Sequence, residues 1–377
     1  MLRTPLHQFH VDAGGKMVEF AGWEMPMLYS SIHDEHTQVR ASGGLFDVSH
    51  MGRVRVSGRH ARRMLERLCT RRIADMETGQ CRYSLMCNER GGVRDDVIVY
   101  RMDDDEFLVV VNGANREKML AHFDAVKAAG EFVATIEDQT LRTAMVAMQG
   151  PKVMDLISRF STEIPTLKRY RFAVKNLLVM KIIVSRTGYT GEDGVEAILP
   201  ATGVSMAMKL LLKDADPKGS NAVVKPAGLG ARDTLRIEAG MPLYGHELGE
   251  DIDALGCGVD FAIAIDKDQD DRKEGFIGME ALKRTRDSGG PPRRLAGITL
   301  EGKRTARQGN IIRAADGREV GVVSSACLSP TLGLPIAMGF VDRALAGEVG
   351  QPVRIDTGRG ELDGRITKLP FYSATRK

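Results

Sequence analysis

The apolar and polar positions change their period several times along the chain, and each change marks an element. Residues 33–42 read as a short helix stopped by Gly43-Gly44. Residues 59–69 set Met64, Leu65 and Leu68 against a run of arginines, the pattern of a longer amphipathic helix. The period then drops to two: Asp96–Met102 alternates and Phe107–Val111 is continuously apolar, with the acidic stretch Asp103–Glu106 between them as a hairpin loop. Asn115 stands where it would cap a helix from about Arg116 to Ala129, ended by Gly130. Met145–Met148 reads as a buried strand, and Gln149-Gly150-Pro151 turns it into another helix with Pro151 at the first position. Leu177–Arg186 and Val195–Leu199 form a second predicted hairpin around the loop Thr187–Gly194, followed by helices near 201–213 and 228–239.

From Asp287 to Pro292 the stretch DSGGPP can neither continue a helix nor pair as a strand, which places a domain boundary there. Beyond it, residues 293–377 give short strands at spacings near ten residues, with turns at Asp316-Gly317 and Thr357-Gly358. That pattern predicts a small all-β barrel or sandwich. The expected division is therefore 1–286 and 293–377, and the expected class α+β.

With 377 residues, 43% of them hydrophobic and 27% charged, the composition is that of a globular protein rather than a disordered or disulfide-dense one. A formal charge of +3 is too small for a phosphate-neutralising surface, which argues against nucleic acid. The basic run Arg59–Arg72 reads as the wet side of its helix rather than as a dock for an acidic partner. The five cysteines are odd in number, and Cys81 and Cys87 stand at C-x5-C, matching neither zinc nor redox spacing, so reduced structural thiols are expected. No apolar run approaches the roughly 18 residues that cross a bilayer. The opening MLRTPLHQFHVDAGG has no h-region, so the cytoplasm is the expected compartment, with no membrane partner.

Several apparent motifs fail on their own chemistry. Gly297-x4-Gly302-Lys303 lacks the Ser or Thr of a phosphate loop, since Arg304 stands there. Gly228-x-Gly230 lacks the third glycine of a dinucleotide site, so close packing is expected at both. Asp266-x-Asp268-x-Asp270 has Asp271 where a calcium loop needs glycine, and reads as a solvated loop. His33 and His36 share a helical face but lack further ligands, and are expected to be surface histidines; no metal is expected.

Other segments pack glycine, aromatic and charged residues more densely than a bland core needs. Asp95 and Asp96 open a strand, where alternation sends one carboxylate to each face. An inward carboxylate amid Val97, Val99 and Tyr83 is costly unless it meets a cationic or donor-rich ligand, although a strand-end carboxylate bonding turn N–H groups is the bland alternative. Glu196 sits in the strand VEAIL and Arg232 near the start of the helix after Ala227-Gly228. They read either as a buried ion pair or as paired acceptor and donor for a planar heterocycle such as a pterin.

Taken together, RTPLHQFHVDAGGKMVEFAGWEMP, FDVSHMG, YSLMCNERGGVRDDVIVY, VVNGANREK, AMQGPK, SRTGYTGEDGVE, GLGARDTLRIEAGMPLYG, GKRTARQG and the SPTLG segment resemble, in order and over essentially the full length, the aminomethyltransferase family, the T-protein of the glycine cleavage system. The resemblance implies a three-lobed folate-binding fold, two α+β lobes interleaved over the first ~285 residues and a C-terminal β-barrel, with folate in the central opening. It implies glycine catabolism: an aminomethyl group passes from the lipoyl sulfur of H-protein to tetrahydrofolate as cosubstrate, giving 5,10-methylenetetrahydrofolate, ammonia and dihydrolipoyl H-protein. By motif position Asp96 is the implied catalytic carboxylate and Glu196 and Arg232 the implied folate contacts, with Tyr83, Tyr100, Asn112, Tyr170, Tyr189, Tyr244 and Met51 lining the pocket. The chain departs from the family pattern at Ala254, Gly256 and Phe261, where relatives carry P-x-E-x-x-L-x-W, and matches a late basic contact only loosely, by Arg376. A folate-dependent demethylase of a small methylated substrate shares the scaffold. A non-catalytic folate-binding iron–sulfur maturation factor would carry K-G-C-Y-x-G-Q-E, absent here.

Overall fold

A computed structural model of the chain describes residues 1–177, 180–211 and 222–374. The chain divides into two compact units, the first made of Met1–Met64, Asp75–Arg82 and Ile98–Asp233, the second of Leu65–Ala74, Tyr83–Val97 and Thr234–Lys377. The architecture is α+β with a C-terminal closed barrel.

In the first unit a six-stranded sheet runs in the order Phe172–Leu177, Met180–Ser185, Gly194–Pro200, Thr143–Gln149, Gly44–Asp47, Lys225–Pro226. Leu45, Val146, Met148, Val195 and Leu199 from its strands are buried with Val153, Leu156, Val204 and Met208 from the helices Val153–Ile157 and Val204–Leu211. Apolar residues recurring on one face of each element account for that core. The strand pairing sets Ser185 directly opposite Glu196. A five-stranded sheet follows the order Cys81–Cys87, Val93–Asp103, Glu106–Val111, Gly52–Ser57, Thr135–Asp138, and a small sheet holds the hairpin Lys16–Phe20 with Trp23–Leu28.

In the second unit the strands Arg293–Leu300, Pro335–Asp342, Glu319–Leu328, Ile311–Ala314, Pro352–Asp356 and Glu361–Thr367 close into a barrel in that order. Alternate positions such as Ile298, Leu300, Ile312, Val353, Ile355 and Ile366 fill its interior. Glycines at positive φ, Gly317 at 85° and Gly358 at 73°, make the turns expected from the sequence. Of the DSGGPP stretch, Asp287 ends the helix Met279–Asp287, and residues 288–292 connect it to the first barrel strand.

The helices at Ile32–Ala41, Ala61–Leu68, Arg116–Ala129 and Leu229–Glu238 fall where the periodicity puts them. The predicted hairpin is present as Val93–Asp103 and Glu106–Val111, starting three residues earlier than expected and turning at Asp104-Asp105, since Asp103 and Glu106 pair with one another. Met64, Leu65 and Leu68 are buried while Arg63 and Arg67 are exposed, so the arginine run is indeed a wet face. All five cysteines are buried free thiols. Among the described residues, no helix is long and apolar enough to cross a membrane.

Other expectations need correction. Asn115 occupies the cap position of its helix, but its side chain makes no capping hydrogen bond. Pro151 is not the first residue of a helix: the helix starts at Val153, and the proline sits in the turn that Gly150, at φ 143°, opens. The segment from Leu177 is not one strand, because Leu177 ends one strand and Met180 begins the next. His36 is fully buried rather than superficial. In the acidic loop Lys267 is buried too, its Nζ donating to the carbonyls of Glu66, Cys69 and Arg71 at 2.6, 2.7 and 2.8 Å. There it satisfies one carbonyl of the last turn of the helix Ala61–Leu68 and two of the segment that follows it. Arg376 lies outside the described residues.

Candidate functional site

On the strand Val93–Asp103, the face decides the fate of the two carboxylates, both of which belong to the second unit. Val93, Asp95, Val97 and Val99 point one way and are fully buried, while Asp96 is half-buried on the other face. The costly inward carboxylate amid the valines is therefore Asp95. Tyr83, on the neighbouring strand, donates its hydroxyl to Asp96 Oδ2 at 3.2 Å. That bond fixes the orientation of the carboxylate. Tyr83 stacks, tilted by 32°, on Phe261 with ring centroids 5.9 Å apart, and Phe261 is itself 63% exposed. Tyr244 packs half-buried against the same apolar cluster as Tyr83. Ala254 and Gly256 are buried, and a Cβ on Gly256 would come within 3.0 Å of the Arg293 carbonyl, so the short residues in this altered segment match its close packing.

In the first unit Glu196 is 6% exposed and its Oε2 accepts from Thr187 Oγ1 at 2.5 Å. Thr187 Oγ1 lies 2.7 Å from Ser185 Oγ, and Ser185 Oγ 3.1 Å from the fully buried Tyr100 hydroxyl. Burial pushes the Glu196 carboxyl above its ordinary range, against the Thr187 hydrogen bond and the field of Arg232. Burial likewise lowers Arg232, with Glu196 and Tyr189 opposing. The Arg232 guanidinium sits 4.8 Å over the Tyr189 ring. Its Nη1 is shielded from solvent and has no hydrogen-bond partner. Glu196 and Arg232 thus act on one another through the field, with no direct hydrogen bond among the described residues, rather than as the closed ion pair the sequence allows.

The loop carrying Thr187 and Tyr189 is anchored by Gln149, whose Nε2 donates to the Thr187 carbonyl at 3.1 Å and whose Oε1 accepts from Thr190 at 3.2 Å. Gly188 packs so tightly on that amide that a Cβ would fall 1.8 Å from Oε1, which explains a glycine at that place in SRTGYTGEDGVE.

Of the remaining expected pocket residues in this unit, Met51 and Asn112 are half-buried, while Tyr170 is 43% exposed and takes a left-handed backbone at φ 61°. Two backbone bonds hold Tyr170 there: its N–H donates to Arg186 O at 3.0 Å, and its carbonyl accepts from Cys81 N at 2.8 Å.

Three residues escaped the sequence reading as site candidates. Ser185 and Thr187 lie within a quoted motif, and knowing that Ser185 faces Glu196 across the hairpin would have picked them out. His50 is 4% exposed with an unpartnered Nδ1, and burial pulls it down to about 4, with Asp47 opposing and Arg232 and Arg53 reinforcing. Only its place in FDVSHMG marked it. A cavity of about 1230 Å³ in the first unit, lined by Leu6, Phe9, Tyr29, Met208, Lys209 and Lys225 among others, includes none of the candidate residues.

Among known proteins, residues 6–267 match the GCVT N-terminal domain family and residues 293–373 the glycine cleavage T-protein C-terminal barrel domain family. The aminomethyltransferase of Rubrobacter xylanophilus is 43% identical, covering 99% of this chain and 95% of its own length. That of Cutibacterium acnes is 40% identical, covering 98% of both. The crystal structure of the glycine cleavage system aminomethyltransferase T from Bartonella henselae superposes with a TM-score of 0.88 at 29% identity, over 98% of each chain. Matched along its whole length in both sequence and fold, the chain belongs to the aminomethyltransferase family, the T-proteins of the glycine cleavage system.

Proposed function

We propose that this chain transfers the aminomethyl carbon carried on the lipoyl sulfur of H-protein to tetrahydrofolate, with Asp96 as its reacting carboxylate. The observation that carries this reading is the half-open position of Asp96 on its strand, in a chain related to aminomethyltransferases over its whole length. Tyr83 donates to Asp96 Oδ2 and so holds the carboxylate oriented to take a proton and return one as ammonia leaves. Tetrahydrofolate, when bound, supplies the amine nitrogens that accept the carbon.

The residues present suit a pterin. Arg232 Nη1 is a buried donor without a partner, and Glu196 is a buried carboxylate bonded through one oxygen, a complement to the lactam and amino edges of such a ring. Tyr100, Asn112, Tyr170, Tyr189, Tyr244 and Met51 complete the proposed lining, and Phe261 extends the aromatic surface beside Tyr83. The division into a folate-binding region at 1–286 and a barrel domain at 293–377 is our reading as well, supported by the spans of the two family matches. H-protein as the donor and the cytoplasm as the compartment belong to the same proposal.

The test is direct. The purified protein, given tetrahydrofolate and aminomethylated lipoyl H-protein, should form 5,10-methylenetetrahydrofolate and ammonia in equal amounts. Tetrahydrofolate binding without either product, or turnover only on small methylated amines, would overturn the assignment.

A further inference from the structure

Four side chains of the first unit, Tyr100, Ser185, Thr187 and Glu196, form a continuous buried chain whose protons can be counted. An ionised carboxylate only accepts, so the Thr187 hydroxyl donates to Glu196 Oε2 across 2.5 Å. With its proton committed, Thr187 Oγ1 accepts from Ser185 Oγ across 2.7 Å. Ser185 Oγ in turn accepts from the Tyr100 hydroxyl across 3.1 Å. Ser185 Oγ also lies 3.3 Å from the Glu196 carbonyl, a longer contact that the same proton can share.

With Glu196 ionised, the direction runs from the phenol to the carboxylate. A proton on Oε2 would reverse the chain, with Thr187 donating to Ser185 and Ser185 to the buried Tyr100 oxygen. The frame around the chain is rigid. Ser185 pairs with Glu196 across the sheet, and Gln149 pins the loop just past Thr187.

We propose that Tyr100, Ser185 and Thr187 are positioning residues that fix Glu196 by Oε2 in its ionised form, so that its other oxygen selects ligands presenting an N–H donor edge. This rests on the folate reading of Glu196 and deepens it. Selection by a buried acceptor is effective because a ligand lacking the donor leaves that acceptor unpaired away from water. An acceptor selects in this way only when it is held still, which is the task given to the hydroxyl chain.

The experiment uses the full-length protein and two probes, tetrahydrofolate and its 2-desamino analogue, which lacks the exocyclic amino donor. The parent protein should prefer tetrahydrofolate. Thr187→Val removes the hydroxyl at nearly constant volume and should weaken tetrahydrofolate binding about tenfold while affecting the analogue much less, so that the preference narrows. In turnover the loss should fall on KM for tetrahydrofolate rather than on kcat. Thr187→Ser should restore both affinity and preference, and Ser185→Ala should shift them in the same direction by a smaller factor. If Thr187→Val is poorly folded, Ser185→Ala and Thr187→Ser carry the comparison.

Parent-like preference in folded Thr187→Val and Ser185→Ala, with Glu196→Gln weakened, would overturn the hydroxyl chain alone. Parent-like affinity and preference in Glu196→Gln would remove Glu196 from folate recognition, and the chain's role would fall with it.

Discussion

At the scale of single residues, the two carboxylates of Asp95-Asp96 show what a sequence can and cannot decide. Alternation dictates that they face opposite ways, and the structure buries Asp95 completely while leaving Asp96 half-open beside Tyr83. Which of them is inward depends on what covers each face of the sheet, and no local pattern contains that. Asp96→Asn keeps the shape and the Tyr83 contact but cannot take up a proton, so tetrahydrofolate affinity should stay within a few fold while kcat falls by about two orders of magnitude or more. Steady-state turnover with H-protein, set beside a folate-binding titration, reads the two separately, and undiminished kcat would take Asp96 out of the chemistry. Arg232 poses a different question, since its Nη1 has no protein partner and its guanidinium rests on Tyr189. Arg232→Ala should weaken tetrahydrofolate by about 2–3 kcal/mol, partly because Glu196 is left buried without its compensating field. A loss confined to the unfolding midpoint, with folate affinity intact, would make the arginine purely structural.

Elements with strong periodicity were legible, and those held by tertiary pairing were less so. The helix Ala61–Leu68 and the strand pair Val93–Asp103 with Glu106–Val111 announce themselves by apolar spacing. The hairpin Lys16–Phe20 with Trp23–Leu28 does not, because its connection is Ala21-Gly22 and lacks the Asn or Asp that usually signals such a turn. Phe20 pairs with Trp23, and the two residues between them take φ of 52° and 82°, both left-handed. Glycine carries that conformation freely; alanine does not, its Cβ crowding the carbonyl at a cost of about 1 kcal/mol. Ala21→Gly should therefore stabilise the protein by roughly 0.5–1 kcal/mol, whereas Gly22→Ala should destabilise it by a similar amount, since a Cβ there meets nothing within 4 Å and the backbone alone sets the cost. Urea unfolding of the two variants checks the opposite signs. If Ala21→Gly lost stability, the lower entropy of the unfolded alanine chain would outweigh the turn strain.

For the whole molecule, the closed barrel was readable because its strands are short, evenly spaced and consecutive. The two compact units were not: four of the five cuts between them fall inside regular elements, at Met64 and Asp233 within helices and at Arg82 and Val97 within strands, where no break in composition marks them. Stability is a property at this scale, and acid should erode it through two groups of the first unit. His50 acts first as the pH falls. Its folded value is pulled from 6.5 to about 4 by burial, so between those pH values the unfolded chain binds a proton that the folded chain refuses. Stability then rises with pH across that window, is complete above about 6.5, and declines as the pH falls toward 4 by up to roughly 3 kcal/mol. Asp47 acts lower down. Burial would raise its carboxyl, but the bonds from His10, Ser49 and Thr4 outweigh burial and hold it below 3.8, so its contribution is present above that value and is lost as the pH drops through the folded one. His50→Gln removes the first group and leaves the second. Urea midpoints at pH 7, 5.5 and 4 should therefore fall less steeply for His50→Gln than for the parent, with the two curves running parallel below pH 4. Equal slopes between pH 7 and 4 would mean that His50 takes up its proton in the folded chain as readily as in the unfolded one, and that its unpartnered Nδ1 finds an acceptor once charged.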